Sequence, residues 1–514
     1  MKKLNEMTLK EKIGQLIVCG FKSPYYDEQI EELVEDYSLG NVILFSRNFI
    51  NGNQMKELNK EIYSKIVDKV GLIPFIAIDQ EGGQVTRLFK DATFPPSQMT
   101  LGATSINGSA KISGRVIAND MIRMGINWDL APCLEINDEL KNFLTNVRSF
   151  GSNKEKVSAL TKDFISGLSE YGVMSTLKHF PGSGDSNVDS HLDLPVLNTP
   201  LEELMDKNLY PFINNLESDS IMTSHLLFKA IDDKYPITLS KKVIKGLIRE
   251  KMGYTGLIVT DGIEMKAIKN YFTSPRGAVM ALKSGADLVL ACHELDEQKE
   301  IFEAVYEAVR NGELTEEELD EKLVRIIKAK EKMIPYLKKY FFNEDRFIED
   351  INNSNEISKI VDNSITLVNG KVPFIKKDTL IFTSPALIFS EVEDEFSERD
   401  LKEALNKEFD NEIIRLDKDF IYDDKIVDLV RNKGDIIFAT YDVSKNQDFV
   451  KLINEVIDIK KDKSYVISLK GPMEGVLFKG LANYTVMYEY TPNSVKSIIK
   501  YLKGEIKPLG KLPL

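Results

Sequence analysis

Eight short runs of apolar and β-branched residues recur through the first two thirds of the chain, and they constrain its fold more than any other feature. The runs span 15–20, 41–45, 73–78, 127–134, 173–178, 220–224, 256–260 and 286–291. Stretches with helical periodicity, such as 54–69 and 154–171, separate them. Near-continuous apolar strands that alternate with helices indicate a parallel sheet covered on both faces. Eight such units in about 335 residues predict an α/β fold of the TIM type, a (β/α)8 barrel with insertions.

Polar residues gather at one end of these runs. Those that lie at or just after the carboxyl end of a run are Asp79, Glu81, Lys178, His179, His225 and Asp261. Parallel strands present their carboxyl ends at the same rim, where a barrel of this type builds its active site. Random scatter would not favour one end, so the sequence predicts a functional site at this rim.

The last third of the chain predicts a second, smaller α/β domain. Segment 315–332 has the pattern of a capped amphipathic helix, and Pro335 follows soon after it. Buried strands are predicted at 379–383, 435–440 and 464–469. We therefore predict a barrel domain over 1–335, a charged linker over 336–354 and an α/β sandwich domain over 355–514.

The charge balance narrows the class of partner. The chain carries 80 acidic and 67 basic residues, a formal net charge of -13. Such a surface argues against a general affinity for nucleic acid or for an anionic membrane. The most apolar windows, such as 16–19 and 288–292, are far shorter than the roughly 20 residues of a membrane helix. We expect a neutral or locally guided substrate, with no nucleic acid and no membrane as partner.

The cysteines indicate a reducing compartment. Cys19, Cys133 and Cys292 are far apart, and an odd count without metal-ligand spacing argues against a disulfide framework. Charged residues interrupt the first turns of the chain, so no secretion signal is expected. These features predict buried, reduced thiols and a cytoplasmic location.

Two loops are dense in hydrogen-bond donors and glycine. Segments 148–151 and 178–185 follow strand candidates and contain Arg148, Lys178 and His179. Recognition of a polyhydroxyl ligand needs such donors, and glycine permits close approach of the backbone to it. A single basic residue would read as a surface charge, but several polar segments on one rim favour a binding site.

Two further features suggest acid, base or nucleophile chemistry. In the segment Asp189-Ser190-His191, the carboxylate can fix one tautomer of the imidazole and favour the imidazolium, although the pair can also be incidental. Asp261 ends a strand candidate and precedes the helix-forming segment 264–268, so it can be a fixed nucleophile, the N-cap of that helix, or both at once. The residues alone leave both alternatives open.

These motifs together resemble glycoside hydrolase family 3, and in particular its β-N-acetylglucosaminidase branch. The matching segments are Asp79-Gln-Glu-Gly-Gly with Arg87, Lys178-His-Phe-Pro-Gly, Asp189-Ser-His-Leu-Asp-Leu-Pro, Ile221-Met-Thr-Ser-His and Val259-Thr-Asp. The resemblance covers residues 1–335 through ordered, spaced motifs, and the last third resembles the family's sandwich domain less specifically. It implies Asp261 as a nucleophile that forms a covalent glycosyl-enzyme.

The resemblance also implies the roles of the other residues. It implies that His191 is an acid/base held by Asp189. It also implies that five other residues bind the sugar: Asp79, Arg87, Arg148, Lys178 and His179. It suggests release of N-acetylglucosamine from peptidoglycan fragments, including the disaccharide that ends in 1,6-anhydro-N-acetylmuramic acid, or from chitin oligomers. A neutral histidine base repels anions less than a carboxylate does, so phosphorolysis is a second activity to consider.

The chain departs from the family at two positions. Ser183 stands where the family often has a second histidine, and Glu135 stands where a shorter aspartate is expected. One alternative is a β-glucosidase or β-xylosidase whose acid is a glutamate of the second domain, such as Glu391, Glu393 or Glu395. Another is a catalytically silent sugar-binding protein. Neither a phosphate-cradling glycine motif nor a metal-ligand spacing occurs, so no cofactor and no metal are predicted.

Overall fold

The computed structural model describes residues 2–137, 146–182, 193–385 and 400–514, and its first two thirds contain a barrel of parallel strands. The strands of this part are β1 (Ile17–Cys19), β2 (Asn41–Leu44), β3 (Phe75–Ile78), β4 (Gln80–Gly82), β5 (Val85–Thr86), β6 (Trp128–Asp129), β7 (Thr176–Phe180), β8 (Val196–Leu197), β9 (Ser220–Thr223), β10 (Leu227–Phe228), β11 (Leu257–Gly262) and β12 (Leu288–Ala291). Eight of them form one sheet in the order β6-β3-β2-β1-β12-β11-β9-β7. All eight predicted strands are confirmed.

The two ends of this sheet meet between β6 and β7. Isolated parallel bridges join Trp128 to Met174 and Cys133 to Lys178, and they close the barrel. The Trp128 ring is fully buried, and its Nε1 donates to Thr176 Oγ1 at 2.8 Å. Because a buried indole N–H without an acceptor would be costly, this bond helps to fix the ring inside the barrel.

Helices surround the barrel, as the alternating pattern predicts. They are α1 (Leu9–Gly14), α2 (Glu28–Tyr37), α3 (Gly52–Val70), α4 (Gln98–Ala103), α5 (Ser109–Arg123), α6 (Lys154–Ser169), α7 (Leu201–Asp206), α8 (Tyr210–Ile213), α9 (Lys266–Phe272), α10 (Ser274–Ser284), α11 (Leu295–Arg310) and α12 (Glu316–Tyr336). Segments Lys242–Lys251 and Leu337–Phe342 are π-helical. At the start of α12, Thr315 and Glu318 form the reciprocal capping box that the sequence predicts. No helix of the described residues is long and apolar enough to cross a membrane.

The last third of the chain contains a second sheet. Its strands are β13 (Thr366–Asn369), β14 (Leu380–Thr383), β15 (Glu412–Arg415), β16 (Ile436–Thr440), β17 (Ser464–Ser468) and β18 (Asn483–Val486). The order is β13-β18-β17-β16-β14-β15, with β13 antiparallel and the others parallel. Its helices are α13 (Ile351–Ser364), α14 (Leu401–Glu408), α15 (Asp424–Arg431), α16 (Gln447–Lys460) and α17 (Pro492–Leu502). This is the α/β domain predicted after the barrel.

The connection between the two sheets is helical. Residues Ile357, Ile360 and Val361 of α13 lie in the same apolar cluster as the barrel core. The strand β13 follows two residues after α13 ends. The exact domain limits, 1–335 and 355–514, stay predictions.

Candidate active site

The carboxyl ends of the barrel strands bring the predicted sugar-binding residues together. Asp79 follows β3 directly, and Lys178 and His179 lie at the end of β7. Arg87 and Arg148 reach the same rim from the segments after β5 and β6. As the parallel arrangement requires, side chains far apart in sequence are neighbours here.

A buried network of charges forms the floor of this site. Lys178 Nζ lies 2.6 Å from Asp79 Oδ1 and 2.7 Å from Glu81 Oε1. Arg148 donates two hydrogen bonds to Glu81, from Nε to Oε2 at 2.8 Å and from Nη2 to Oε1 at 2.7 Å. Arg87 Nη2 is 3.8 Å from Asp79 Oδ2. The network holds both oxygens of Asp79 beside cations and leaves a fixed pattern of donors and acceptors, as recognition of sugar hydroxyls needs.

Glu81 is the centre of this network, although the sequence predicts only its position at the rim and no role for it. Its side chain is 1% exposed. Burial alone would raise the pKa of Glu81, but the charges of Arg148 and Lys178 hold that pKa well below its usual range. Burial would lower the pKa of Lys178, and the charges of Asp79 and Glu81 raise it instead. Glu81, Lys178 and Arg148 are therefore ionised at neutral pH.

Replacing Glu81 by glutamine is expected to lower the free energy of unfolding by about 3–5 kcal/mol at pH 7, because Lys178 and Arg148 then share too little buried negative charge. The depressed pKa contributes stability above about pH 4.5, and this contribution is lost as the pH falls. The difference between wild type and variant should therefore shrink in acid. Urea unfolding at pH 7 and pH 4 measures it. Glu35→Gln, which removes an exposed pair with Lys69, is the control and should change stability by less than about 1 kcal/mol.

His179 is held by the residue that departs from the family pattern. Its Nδ1 lies 2.8 Å from Glu135 Oε1, and both side chains are largely buried. Since a carboxylate only accepts hydrogen bonds, Nδ1 carries a proton and the ring orientation is fixed. The glutamate at position 135 thus orients the imidazole of His179, which the sequence predicts to bind sugar.

Cys133 lies beside this pair. One ligand atom each of Cys133, Glu135 and His179 lie within 4.8 Å of one another, a spacing that could accommodate a metal ion. Burial, and then the charge of Glu135, raise the pKa of the Cys133 thiol well above its usual range. Because a thiol must lose its proton to bind a metal, these conditions oppose binding. The expectation of no metal stays a prediction.

Asp261 lies near the end of β11 and is partly exposed at the rim. Its Oδ1 accepts a hydrogen bond from Gly262 N at 2.8 Å. The following helix begins only at Lys266, with Met265 at the N-cap position. The alternative interpretation of Asp261 as a helix cap is therefore wrong, and the carboxylate belongs to the strand end.

His225, at the end of β9, supports the backbone beside Asp261. Its Nε2 contacts Gly262 O at 2.8 Å and its Nδ1 contacts Thr238 Oγ1 at 2.9 Å. The contact with a carbonyl requires a proton on Nε2. His225 is 1% exposed, so it acts from beneath the site. It fixes the strand end that carries Asp261.

Glu264 is a carboxyl group near the site that the sequence pattern does not mark, because it lies in a segment predicted to be helical. Its Oε1 accepts from Cys292 N, and no hydrogen-bond partner of its buried Oε2 occurs among the described residues. Burial raises its pKa to about 7, and the charge of Asp261 contributes. Burial raises the pKa of the Cys292 thiol, and the negative charges of Glu264, Asp261 and Asp79 raise it further. A Cβ built on Gly262 would lie 3.7 Å from Cys292 Sγ and 3.8 Å from Glu264 Oε2, so these two groups lie beside the residue that follows Asp261.

The elevated pKa of Glu264 predicts a stability change with pH. The folded chain holds this proton up to about pH 7, whereas the unfolded chain releases it near 4.5, so stability falls as the pH rises through this window. The free energy of unfolding is expected to fall by about 3 kcal/mol across this window, since each pH unit changes it by about 1.4 kcal/mol. Glu264→Gln should abolish this part of the slope. Asp120, whose pKa burial raises to about 6, contributes equally to both proteins, and the difference in unfolding free energy between pH 5 and 8 isolates Glu264.

Three groups named from the sequence lie outside the described residues. They are the proposed dyad Asp189 and His191, the departure at Ser183, and the alternative acids Glu391, Glu393 and Glu395. Among the described neighbours, Asp193 accepts a hydrogen bond from Tyr271 OH at 2.7 Å. Tyr271 belongs to α9, which follows the strand of Asp261. The acid/base assignment stays a prediction from the motif.

Comparison with known proteins shows which family and which solved structures this chain is similar to. Residues 8–329 match the family described as "Glycosyl hydrolase family 3 N terminal domain". Beta-hexosaminidase A of Pseudoalteromonas piscicida is 31% identical over 330 residues, 59% of this chain but only 55% of that protein. The solved glycoside hydrolase family 3 beta-N-acetylglucosaminidase from Paenibacillus sp. str. FPU-7 superimposes with a TM-score of 0.92 at 30% identity, covering 99% of this chain and 98% of that one. The beta-glucoside phosphorylase BglX superimposes with a TM-score of 0.83 at 25% sequence identity, and the match covers 99% of this chain and 94% of that chain.

Proposed function

The chain belongs to glycosyl hydrolase family 3, and we propose that it is a retaining β-N-acetylglucosaminidase that uses Asp261 as nucleophile and His191 as acid/base. The observation that carries the proposal is the position, at one rim of the barrel, of a partly exposed strand-end carboxylate and a preformed network of ion-paired side chains. The similarity of the whole chain to a solved β-N-acetylglucosaminidase supports the choice of sugar.

In the proposed complex, the network binds the terminal sugar. Asp79 offers carboxylate oxygens to two hydroxyl groups, and Lys178, Arg148 and His179 donate hydrogen bonds to ring substituents. Their positions are fixed before substrate arrives, since Glu81 and Glu135 already hold three of them. Little entropy is then lost in ordering the site, and the anomeric carbon can be held in line with Asp261.

The proposed reaction has two displacements. Asp261 attacks the anomeric carbon while imidazolium His191 protonates the departing oxygen, so the glycosidic bond breaks as the covalent ester forms. Neutral His191 then removes a proton from water, which attacks the same carbon and releases Asp261 as a carboxylate. Two inversions retain the β configuration. Asp189 orients the imidazole and favours its charged form.

The proposed substrates are N-acetylglucosamine-containing peptidoglycan fragments, such as the disaccharide with 1,6-anhydro-N-acetylmuramic acid, with chitin oligomers as the alternative. A cytoplasmic enzyme that recycles cell-wall fragments would meet such small carbohydrates. The free, buried cysteines Cys19, Cys133 and Cys292 support a reducing compartment.

A second candidate is transfer to phosphate instead of water. The observation that favours it is the similarity to a β-glucoside phosphorylase over nearly the whole chain. A histidine base, which is neutral when the acceptor arrives, repels an anionic acceptor less than a carboxylate would. The same two displacements would then release a sugar 1-phosphate.

Turnover of nitrophenyl glycosides tests these proposals. We expect cleavage of the N-acetyl-β-glucosaminide and little cleavage of the β-glucoside or β-xyloside. Stimulation by phosphate, with a sugar 1-phosphate as product, would select the phosphorylase. Preference for the glucoside would instead favour a second-domain glutamate as acid, and sugar binding without any turnover would identify a silent binding protein.

A further inference from the structure

Helix α4 (Gln98–Ala103) belongs to the barrel part of the chain, but it packs into the core of the second domain. Met99 and Ala103 are fully buried in the apolar cluster formed by β14, β16 and α16. Leu101, between them, packs into the barrel core instead. The helix therefore has one face in each core, and a displacement of either domain would move it.

The second domain also holds both ends of α4 by hydrogen bonds. At its start, Glu489 Oε2 accepts from Ser97 N and from Thr100 Oγ1, both at 2.8 Å. Glu489 Oε1 accepts from Thr491 Oγ1 at 2.7 Å, and the whole side chain is buried. At the end of the helix, Lys511 N donates to Ala103 O at 2.9 Å. A buried carboxylate with three donors fixes the helix start rigidly.

On its other side, α4 is hydrogen-bonded to the segment that leads to the proposed sugar-binding residues, which we call the sugar pocket. Gln98 Nε2 donates to Cys133 O at 2.7 Å, and Gln98 Oε1 accepts from Cys133 N at 2.8 Å. Cys133 bridges to Lys178 across the seam where the barrel closes. Two residues later, Glu135 holds His179. One amide side chain thus connects the helix to two proposed sugar-binding residues.

A second route leads from the same helix to the charge network. The residues just before α4 pack against the turn after Glu81, where Gly83 N donates to Pro95 O at 2.9 Å. Gly82 approaches the backbone so closely that an added Cβ would lie 2.2 Å from Pro96 O. Its φ of 96° is also one that side chains rarely adopt. The position of Glu81 therefore depends on the segment that Glu489 holds.

We propose that the second domain sets the geometry of the sugar pocket through helix α4, with Glu489 and Gln98 as positioning residues. This inference rests on the proposed sugar-binding role of the pocket. Neither residue contacts substrate. Glu489 fixes the helix, the helix orients Gln98, and Gln98 fixes the backbone at Cys133 and hence Lys178 and His179.

Kinetics of full-length Glu489→Ala with 4-nitrophenyl N-acetyl-β-glucosaminide test the proposal. We expect kcat/KM per folded molecule to fall about 100-fold, because displacements near 1 Å cost this much, and the inhibition constant of N-acetylglucosamine to rise. Glu489→Gln should restore most of the activity, since the amide oxygen can accept from Ser97 N and the threonine hydroxyls can turn. Glu474→Ala is the matched control, because Glu474 is equally buried but is held by Thr440, Val443 and Ser468 of its own domain.

Hydrogen exchange of the peptide 131–137 gives a readout that does not depend on turnover. Exchange should be faster in Glu489→Ala and in Gln98→Ala, and unchanged in Glu474→Ala. Gln98→Ala leaves the contacts of Glu489 intact, so it serves if Glu489→Ala does not fold. The double variant should lose little more activity than the more damaged single variant, because both residues act along one path.

Equal effects of Glu489→Ala and Glu474→Ala on the inhibition constant and on exchange would overturn the inference, as would additive losses in the double variant. If wild type cleaves no N-acetylglucosaminide, the proposed function fails. The exchange experiment then decides the inference alone, since it reports whether the second domain fixes the pocket segment.

Discussion

Asp261→Ala is expected to lower kcat for 4-nitrophenyl N-acetyl-β-glucosaminide on the order of 10⁵-fold with little change in the folded structure. The reason is that the proposed covalent step has no other nucleophile, and loss of a nucleophile of this kind removes nearly all of the chemical acceleration. The partly exposed strand-end position allows alanine without a buried unpaired charge. Steady-state kinetics with the purified variant, together with its unfolding curve, measure both parts.

Asp219→Ala is the matched control for this experiment. Asp219 precedes β9 at the opposite end of the barrel, where it accepts from Ser175 N and pairs with Lys332. Its loss should cost stability without lowering kcat per folded molecule, because that face of the barrel lies away from the active site. Azide added to Asp261→Ala should restore some turnover and give the α-glycosyl azide. Residual activity within 10-fold of wild type would exclude Asp261 as nucleophile.

The second large effect is expected for His191→Ala, which should lower kcat for the nitrophenyl substrate about 10²- to 10⁴-fold. Without the imidazole, neither protonation of the departing oxygen nor activation of water is assisted. A 2,4-dinitrophenyl leaving group needs no proton, so its first step should be almost unaffected and a burst of dinitrophenol should precede slow turnover. Stopped-flow absorbance measures the burst and the steady rate separately.

Asp189→Asn provides the graded comparison for His191. It should reduce the rate less than His191→Ala, because it removes the orienting carboxylate and keeps the imidazole. Full activity of His191→Ala on the nitrophenyl substrate would contradict the assignment. Variants of Glu391, Glu393 and Glu395 would then be the next to examine.

Much of the fold follows from the sequence, because barrel strands buried on both faces must be nearly continuous in apolar residues. The run 256–260 and the strand Leu257–Gly262 illustrate this agreement. The rim position of Asp79, Lys178 and Asp261 followed as well, since every parallel strand ends on the same side. These inferences need only the period and direction of the chain.

Other features depend on contacts between distant residues and leave no local signal. Glu81 holds its central place through Lys178 and Arg148, which are far away in sequence. The sequence pattern places Glu264 in a helical segment, although the helix begins at Lys266 and burial raises the pKa of Glu264. The division of α4 between two cores is likewise invisible in the sequence, because all six residues of the helix are buried and none marks a solvent-exposed face. Tertiary packing determines each of these.

The central claim, a covalent intermediate on Asp261, is tested most directly by trapping. A 5-fluoro N-acetylglucosaminyl donor with a good leaving group should label the wild-type enzyme at one site, and mass spectrometry of its peptides should place the added sugar on Asp261. Loss of activity in step with labelling is also expected. A label on another residue, or continued turnover with release of the α anomer and no labelled peptide, would contradict the account.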